Sequence, residues 1–198
     1  MLDLNDVCVT FYPNTSNERI ALDHLSFHID DGDFISVLGT NGAGKSTLLN
    51  AISGTLECDA GEIILDGQDI TYAPEYKRAR VIGRLFQDPM KGTAPHMTIE
   101  ENLGLAYSRG KRTTLSKAIK KGDRKFFLEQ LASLGLGLEE RITTNVGLLS
   151  GGQRQALTLL MATIVTPKLL LLDEHTAALD PKTAKQVMDI TEDRKSVV

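Results

Sequence analysis

The alternation of apolar and polar residues predicts short strands in the first third of the chain. Residues 7–12 predict a first strand, residues 25–29 a half-buried strand, and residues 61–67 a strand that ends in an Asp-Gly turn. The apolar run 34–38 predicts a further strand, entered through a hairpin-type turn at Asp31 and Gly32. This part of the chain is therefore expected to contain a partly antiparallel sheet.

Helical patterns dominate the middle of the chain. Residues 81–86 predict a buried strand, after which the character of the sequence changes. Thr98 and Glu101 have the spacing of a capping box at the start of a helix, and helical patterns continue to about Leu134. Residues 88–148 are therefore interpreted as a helical insertion.

A second helix and a buried strand follow the insertion. The helix begins after Ser150, where a serine and glycines at a helix start make a second candidate anion site. The fully apolar run 169–172 is typical of a strand buried in a parallel sheet. It places Asp173 and Glu174 at its carboxyl end, where ligands bind in open α/β sheets.

The glycine-rich stretch after residues 34–38 has the spacing of a phosphate-binding P-loop, Gly39-x-x-x-x-Gly44-Lys45-Ser46. Glycines let backbone N–H groups approach a phosphate closely, and the N-terminus of the following helix also favours an anion. Lys45 would reach the outer phosphates of a nucleotide, and the Ser46 hydroxyl would bind Mg²⁺. The alternative is a structural glycine-rich turn.

Composition and charge narrow the class of protein. The chain has 198 residues, of which 41% are hydrophobic and 24% charged, as is ordinary for a globular protein. A net charge of −4 argues against a nucleic-acid binder. The sequence shows neither a run of about 18 apolar residues nor a signal peptide, so we expect a cytosolic chain. Cys8 and Cys58 are expected to be reduced, structural thiols.

Residues 109–125 carry eight basic residues and one acidic residue. A nucleic-acid or membrane patch and a solvated, flexible face are the two interpretations of this run. The second is favoured, because few aromatic residues lie within the run to stack on bases.

The motifs together resemble those of an ATP-binding-cassette (ABC) ATPase, over about residues 2–192. The matches, in chain order, are Walker A at Gly39, Asn41, Gly42, Ala43, Gly44, Lys45, Ser46 and Thr47, the Q-loop at Gln87, the signature motif at Leu149, Ser150, Gly151, Gly152 and Gln153, Walker B at residues 169–173 with Glu174, and the D-loop at residues 177–180. The D-loop departs from the family pattern, with alanine where serine is common.

The resemblance implies an α/β fold: a P-loop NTPase (RecA-like) core, an N-terminal antiparallel β subdomain and an inserted α-helical subdomain. The core and its β subdomain would cover residues 1–87 and the helical subdomain residues 88–148. The signature helix, Walker B and D-loop would occupy residues 149–192. We interpret residues 193–198 as a non-native tail, because they can be back-translated into a common sequencing-adapter sequence.

The resemblance also implies catalytic roles. Lys45 and the loop amides would neutralise phosphate charge, while Ser46, Gln87 and Asp173 would organise Mg²⁺. Glu174 would activate or orient the attacking water, the alternative for this residue being a surface carboxylate. Lys45, Gln87 and Glu174 are thus the expected catalytic residues, with ATP and Mg²⁺ as the bound species.

Adenine and a second subunit complete the implied site. Phe11 would stack on adenine, with Tyr12 as runner-up and a core aromatic as the alternative for either. Ser150, Gly151, Gly152 and Gln153 would act on the ATP of an opposite cassette, identical or different, in a head-to-tail pair. ATP would then hold the pair together and hydrolysis would release it.

The partners implied are transmembrane permease subunits and a substrate-binding protein, with no nucleic acid. The chain would lie peripherally on the cytoplasmic face of the membrane and power uptake, and residues 173–183 resemble cassettes for the uptake of amino acids, aromatic ones among them. Two alternatives stay open: a soluble ABC ATPase of translation or DNA repair, and a truncated cassette that binds ATP without efficient hydrolysis.

The family's switch histidine has no match in this sequence. It is expected after a further strand, well beyond Glu174, and no histidine follows His175. His175 itself stands where the family often has proline. We therefore expect the chain to be C-terminally truncated and to hydrolyse ATP poorly.

Overall fold

The computed structural model describes residues 1–86, 88, 90–110, 119 and 121–173. These residues belong to two compact units with a boundary between Ile82 and Gly83. The first unit contains the N-terminal sheet and the glycine-rich loop, and the second contains most of the helices.

A four-stranded antiparallel sheet forms the first unit. Its strands are β1 (Leu2–Phe11), β2 (Arg19–Ile29), β3 (Ala60–Leu65) and β4 (Gln68–Asp69), in the spatial order β2-β1-β3-β4. In β1, Leu2 lies opposite Ile29 of β2 and Leu65 of β3, which sets the register of all three strands. The prediction of an N-terminal antiparallel sheet is confirmed.

The first strand begins at Leu2, earlier than the predicted 7–12. Its first part was missed because a bulge interrupts the alternation of buried and exposed residues. Regular alternation would place Leu4 and Val7 on opposite faces of the sheet, yet both are fully buried. Asp6 between them has a φ of 55°, and the register shifts there. Gly61 of β3 packs against this bulge with a φ of +91°, and a Cβ on it would lie 2.6 Å from the Asn5 carbonyl oxygen. Both strands therefore depend on a glycine at position 61.

Two helices complete the first unit. Helix α1 (Lys45–Ser53) follows the glycine-rich loop and ends at Gly54, which has the left-handed conformation common after a helix. Its buried side chains include Leu48, Ala51 and Ile52. Helix α2 (Glu75–Arg78) is a single turn after β4.

The prediction of a strand at residues 34–38 is wrong for this structure. The backbone there has no regular secondary structure, and Phe34 and Leu38 are 62% and 90% exposed. A strand exists through hydrogen bonds to a neighbouring strand, and no strand of the described residues pairs with this run. The turn before it is confirmed, since Gly32 has a φ of +85° and Asp33 N donates to the Asp30 carbonyl at 3.3 Å.

The second unit begins along a two-stranded sheet, β5 (Ile82–Leu85) beside β6 (Leu169–Leu172). Between these strands lie α3 (Ile99–Tyr107), α4 (Lys121–Ala132) and α5 (Gly151–Thr163), with 3-10 turns at Glu139–Arg141 and Val146–Leu148. The predicted strands and helices of this part are therefore present.

The helices of the second unit share one core. Leu103 of α3, Phe127 of α4 and Leu157 of α5 are fully buried. Tyr107 and Phe126 extend this core as an aromatic cluster, with ring centroids 5.4 Å apart. The Thr98 capping box predicted at the start of α3 is confirmed: the Thr98 side chain accepts from Glu101 N, and the Glu101 side chain accepts from Thr98 N.

Candidate functional site

The glycine-rich loop has a backbone that only glycine adopts without strain at two positions. Gly42 and Gly44 have φ angles of +86° and +91°. A Cβ on Gly44 would lie 2.5 Å from the carbonyl oxygen of Ala21 in β2, so the loop also lies close against this strand. Arg19 of β2 donates a hydrogen bond to the Gly42 carbonyl and ties the tip of the loop to the sheet.

Lys45 is folded back onto the loop. Its Nζ donates to the carbonyl oxygens of Gly39 at 2.7 Å and Thr40 at 3.1 Å. An ammonium has three donors on a flexible stem. Lys45 therefore places a positive charge over the loop and has donor capacity left for an anion.

The N-terminus of α1 is open. Gly44 is its N-cap and offers no side chain, and the first turn contains no acidic residue. The first backbone N–H groups of a helix have no partner within the helix, and the helix dipole puts positive charge at this end. Ser46 and Thr47 add two hydroxyl groups to the same turn, with Ser46 exposed. The loop and the helix start together form a cradle of donors for a phosphate.

The residues present fit both bound species expected here. A phosphate needs close backbone approach, which the glycines at 42 and 44 provide, and the positive charge of Lys45. Mg²⁺ takes hard oxygen ligands, and the exposed Ser46 hydroxyl is a donor of that kind. The part of the chain that the structure describes contains no ready-made group of three His, Cys, Asp or Glu side chains around a metal position.

Phe11 ends β1 next to the loop. Its cross-strand partner is Arg19, the residue that holds the Gly42 carbonyl. Phe11 is half-buried, whereas Tyr12 is 69% exposed and has a φ of 53°. Phe11, the expected adenine-stacking residue, therefore lies opposite the residue that contacts the phosphate loop.

The signature residues start α5 in the second unit. Ser150 is the N-cap, its Oγ accepts from Gln153 N at 3.2 Å, and Gln153 Oε1 accepts from Ser150 N at 3.2 Å. Gly151 follows the cap, and a Cβ added to it would meet no other atom within 4 Å. Because Ser150 Oγ is used as an acceptor, its hydroxyl hydrogen stays available to an anion.

The carboxyl end of β6 carries Asp173. Its backbone N–H donates to the Leu85 carbonyl of β5 at 3.2 Å, and the residue is half-buried. Gln87 and Glu174, predicted to be catalytic, lie outside the described residues. The same holds for His175 and for the D-loop at 177–180.

Sequence reasoning missed two features of the site. The Ser150–Gln153 capping box follows the same spacing rule that identified Thr98 and Glu101, so the signal for it was present. The contact of Arg19 with Gly42 had no local signal, because 23 positions separate the two residues.

Two other expectations have structural outcomes. Cys8 and Cys58 are free thiols, as predicted. In the basic run, Arg109 is not a solvated residue: it is half-buried and its guanidinium donates to the Ala162 carbonyl at 2.8 Å. Residues 111–118 and 120 of the run lie outside the described residues. Across the described part of the chain, no helix combines the length and apolar character that a membrane span requires.

Comparison with known proteins gives consistent matches. The family model described as ABC transporter matches residues 22–177. A tyrosine transport ATP-binding protein of Clostridioides difficile (strain R20291) is 46% identical over 194 residues, which are 97% of this chain and 76% of that protein. A spermidine/putrescine import ATP-binding protein of Mannheimia succiniciproducens is 36% identical over 175 residues, which are 87% of this chain and 43% of that protein.

Solved structures match over the whole chain. A dimeric ATP-binding cassette in a post-hydrolysis state, bound to ADP and Pi, is 31% identical with a TM-score of 0.84, covering 100% of this chain and 86% of the other. A nucleotide-free ATP-binding cassette from an ABC transporter is 26% identical with a TM-score of 0.78, covering 100% of this chain and 78% of the other.

Proposed function

The chain belongs to the ABC transporter family and has the P-loop NTPase fold of its ATP-binding cassettes, and on this premise we propose that it binds and hydrolyses ATP to power a membrane transporter. The observation that carries the proposal is the open N-terminus of α1, where glycines, uncapped amides and the Lys45 ammonium converge. This combination of donors suits the terminal phosphates of a nucleotide.

Nucleotide binding would exchange one set of hydrogen bonds for another. Lys45 Nζ leaves part of its contact with the Gly39 and Thr40 carbonyls and pairs with phosphate oxygens, a charge-assisted and therefore stronger bond. The amides of the first turn of α1 gain acceptors that the chain does not give them. Phe11 stacks on the adenine, supported by its half-buried position at the end of β1.

Hydrolysis needs further residues, which the family resemblance supplies. Ser46, Gln87 and Asp173 would hold Mg²⁺, which would offset the negative charge that develops on the phosphate oxygens. Glu174 orients the attacking water and accepts its proton. Lys45 stabilises the charge on the transferred group throughout.

A second cassette completes the site. The Ser150 hydroxyl and the amides of Gly151 and Gly152 at the start of α5 act on the ATP that the opposite chain holds. Ser150 and Gly151 are exposed, as this role requires. The dimeric state of a matched cassette bound to ADP and Pi supports such a pair, made with an identical or a different cassette.

The transporter is proposed to be a bacterial uptake system of amino-acid type. The tyrosine transport protein that is 46% identical supports the cargo class. Permease subunits and a substrate-binding protein are the further partners, with the chain on the cytoplasmic face of the membrane. The helical region 88–148 is the proposed permease contact, and Leu105 of α3, which is 55% exposed, is an apolar residue available there.

Binding and turnover of ATP by the 198-residue chain test the proposal. We expect K45A to weaken Mg-ATP binding about ten-fold or more, because a charge-assisted hydrogen bond contributes roughly 1.5–3 kcal/mol. Lys77→Ala on α2 is the matched control, an exposed lysine away from the loop, and should bind like wild type. Calorimetry gives affinity, and phosphate release gives turnover. If K45A binds ATP as tightly as wild type, the proposed phosphate site at the start of α1 is refuted.

Transport is tested in cells of the source organism. Disruption of the gene should lower uptake of radiolabelled tyrosine and leave uptake of spermidine unchanged, because the cargo class follows the tyrosine transport relative. Unchanged amino-acid uptake, with ATP binding intact, would remove the cargo proposal and keep the ATPase.

A further inference from the structure

A buried arginine lies at the end of α1 opposite the phosphate loop. Arg78 is 3% exposed, although it carries a charge. Its guanidinium donates four hydrogen bonds to backbone carbonyls: Nη1 to Ala51 at 2.7 Å and Ile52 at 2.9 Å, Nη2 to Thr71 at 2.7 Å, and Nε to Ala73 at 2.8 Å. All four acceptors are neutral carbonyls, and two of them belong to the last turn of α1.

The contacts with Ala51 and Ile52 lie at the C-terminal end of α1. The last carbonyls of a helix have no partner within it, and a cation there interacts favourably with the helix dipole. Helix α1 has nine residues, a length at which an isolated helix is marginal in water. Two of its last-turn carbonyls, those of Ala51 and Ile52, bind Arg78. Arg78 therefore satisfies carbonyls that the helix itself leaves open.

The end of the helix is shaped to admit the guanidinium. Gly54 follows α1 with a φ of +80°, and a Cβ on it would lie 2.7 Å from Arg78 Nε and 2.9 Å from Arg78 Cδ. The Gly54 N–H also donates to the Ala51 carbonyl at 3.2 Å. A glycine at position 54 thus serves both the left-handed turn and the arginine.

We propose that Arg78 is a positioning residue for nucleotide binding, acting through α1. It keeps the first-turn amides of residues 45–47 ordered by holding the other end of the same short helix. It also adds positive charge at the far end of α1, about 13 Å along the helix from its first turn at a rise of about 1.5 Å per residue. The inference rests on the proposed function, since it requires a nucleotide at the N-terminus of α1.

Arg109 provides a matched control in the second unit. Its Nη2 donates to the carbonyls of Met161, Ala162 and Val165 at the C-terminal end of α5. It is thus a second arginine on the carbonyls of a helix end, but of the helix that would act on the nucleotide of the opposite chain. Its loss should cost stability without changing the affinity of a single chain for nucleotide.

The test is calorimetric titration of the 198-residue chain with ADP in the presence of Mg²⁺. ADP is used because it does not require a second chain. We expect R78M to bind ADP about five-fold more weakly with unchanged stoichiometry, and R78K, which keeps the charge, to lose only about two-fold. R109M should bind like wild type. The separation of affinity from stoichiometry distinguishes a change of the site from a loss of folded protein.

Each other outcome decides against the inference. Equal affinity of R78M and wild type, or an equal loss in R109M, would overturn the role of Arg78 and leave the proposed function standing. Failure of wild type itself to bind ADP would overturn both.

A second measurement covers the case in which R78M does not fold. Hydrogen exchange of α1 in R78K should be faster than in wild type at the last turn and at the amides of residues 45–47, because a single ammonium replaces the planar fork of N–H donors. Unchanged exchange in α1 together with unchanged ADP affinity of R78K would overturn the inference.

Discussion

Alanine substitutions at four glycines can separate two contributions to the loss of stability. One is the strain of a left-handed backbone, and the other is a collision of the added Cβ with neighbouring atoms. Gly32 and Gly67 have φ angles of +85° and +73° with nothing within 4 Å of an added Cβ. Gly44 and Gly61 have φ angles of +91°, and their added Cβ atoms meet backbone carbonyls of Ala21 and of Asn5 with Asp6. Alanine substitution therefore gives an open pair, G32A and G67A, in which the Cβ meets no other atom, and a blocked pair, G44A and G61A, in which it collides with backbone.

The magnitudes follow from these geometries. A left-handed alanine costs roughly 1–2 kcal/mol, and this is the whole expected loss for G32A and G67A. G44A and G61A add a collision with backbone, which cannot rotate away as a side chain does, and overpacking of this kind costs about 1–3 kcal/mol more. We therefore expect the blocked pair to lose about 2–5 kcal/mol of unfolding free energy.

The two variants of the blocked pair, G44A and G61A, should differ in their affinity for nucleotide. Gly44 is the N-cap of α1, so movement of its backbone disturbs the donors of the phosphate cradle. Gly61 lies in β3 against the bulge of β1. G44A should lose ADP binding, whereas G61A should stay within about two-fold of wild type, since distant sites act independently.

Urea unfolding followed by far-UV circular dichroism and calorimetric titration with ADP make the two measurements. Equal unfolding free energies for G44A and G32A would refute the contact argument at the loop. Equal loss of ADP binding in G44A and G61A would refute the claim that the loop geometry, rather than general stability, governs nucleotide affinity.

Two further predictions concern the helix caps and the sheet edge. S150A and Thr98→Ala each remove an N-cap and should each lower the unfolding free energy by about 1 kcal/mol, measured by thermal unfolding. Only S150A should also lower ATP turnover. Equal turnover of the two variants would contradict the proposed role of α5. Hydrogen bonds to Asp3 and Asp30 raise the pKa of His28. The stability from this group is present in full below the unfolded-state pKa of about 6.5 and is lost as pH rises through the raised folded-state pKa. H28Q should remove the His28 contribution to the pH dependence of the urea midpoint, and an unchanged profile would exclude His28 as a source of it.

Features with a short-range cause were predictable from the sequence. The P-loop spacing located the open start of α1. The four apolar residues of β6 were recognised because a strand buried on both faces has no alternation. In each case the residues that determine the structure lie within a few positions of one another.

Features that depend on distant residues were not predictable in this way. Arg109 belongs to a run of basic residues, and nothing near it in sequence indicates that its guanidinium binds the end of α5. Arg78 and Ala51 are 27 positions apart. The run 34–38 is the opposite case: its composition suits a strand, but strand formation requires a neighbour, and composition does not specify one.

The two helices that face phosphate in the proposed function differ in how their N-termini are satisfied. Helix α1 has no side-chain cap, so a phosphate meets amides that the chain leaves open. Helix α5 begins with a complete capping box, in which Gln153 N already has the Ser150 side chain as its acceptor. An anion gains less at α5, because it competes with a bond already made, and its first new donor is the Ser150 hydroxyl. In the proposed function, a single chain therefore binds nucleotide through α1 first, and the contact of α5 with the opposite chain's nucleotide is the weaker and more readily reversed one.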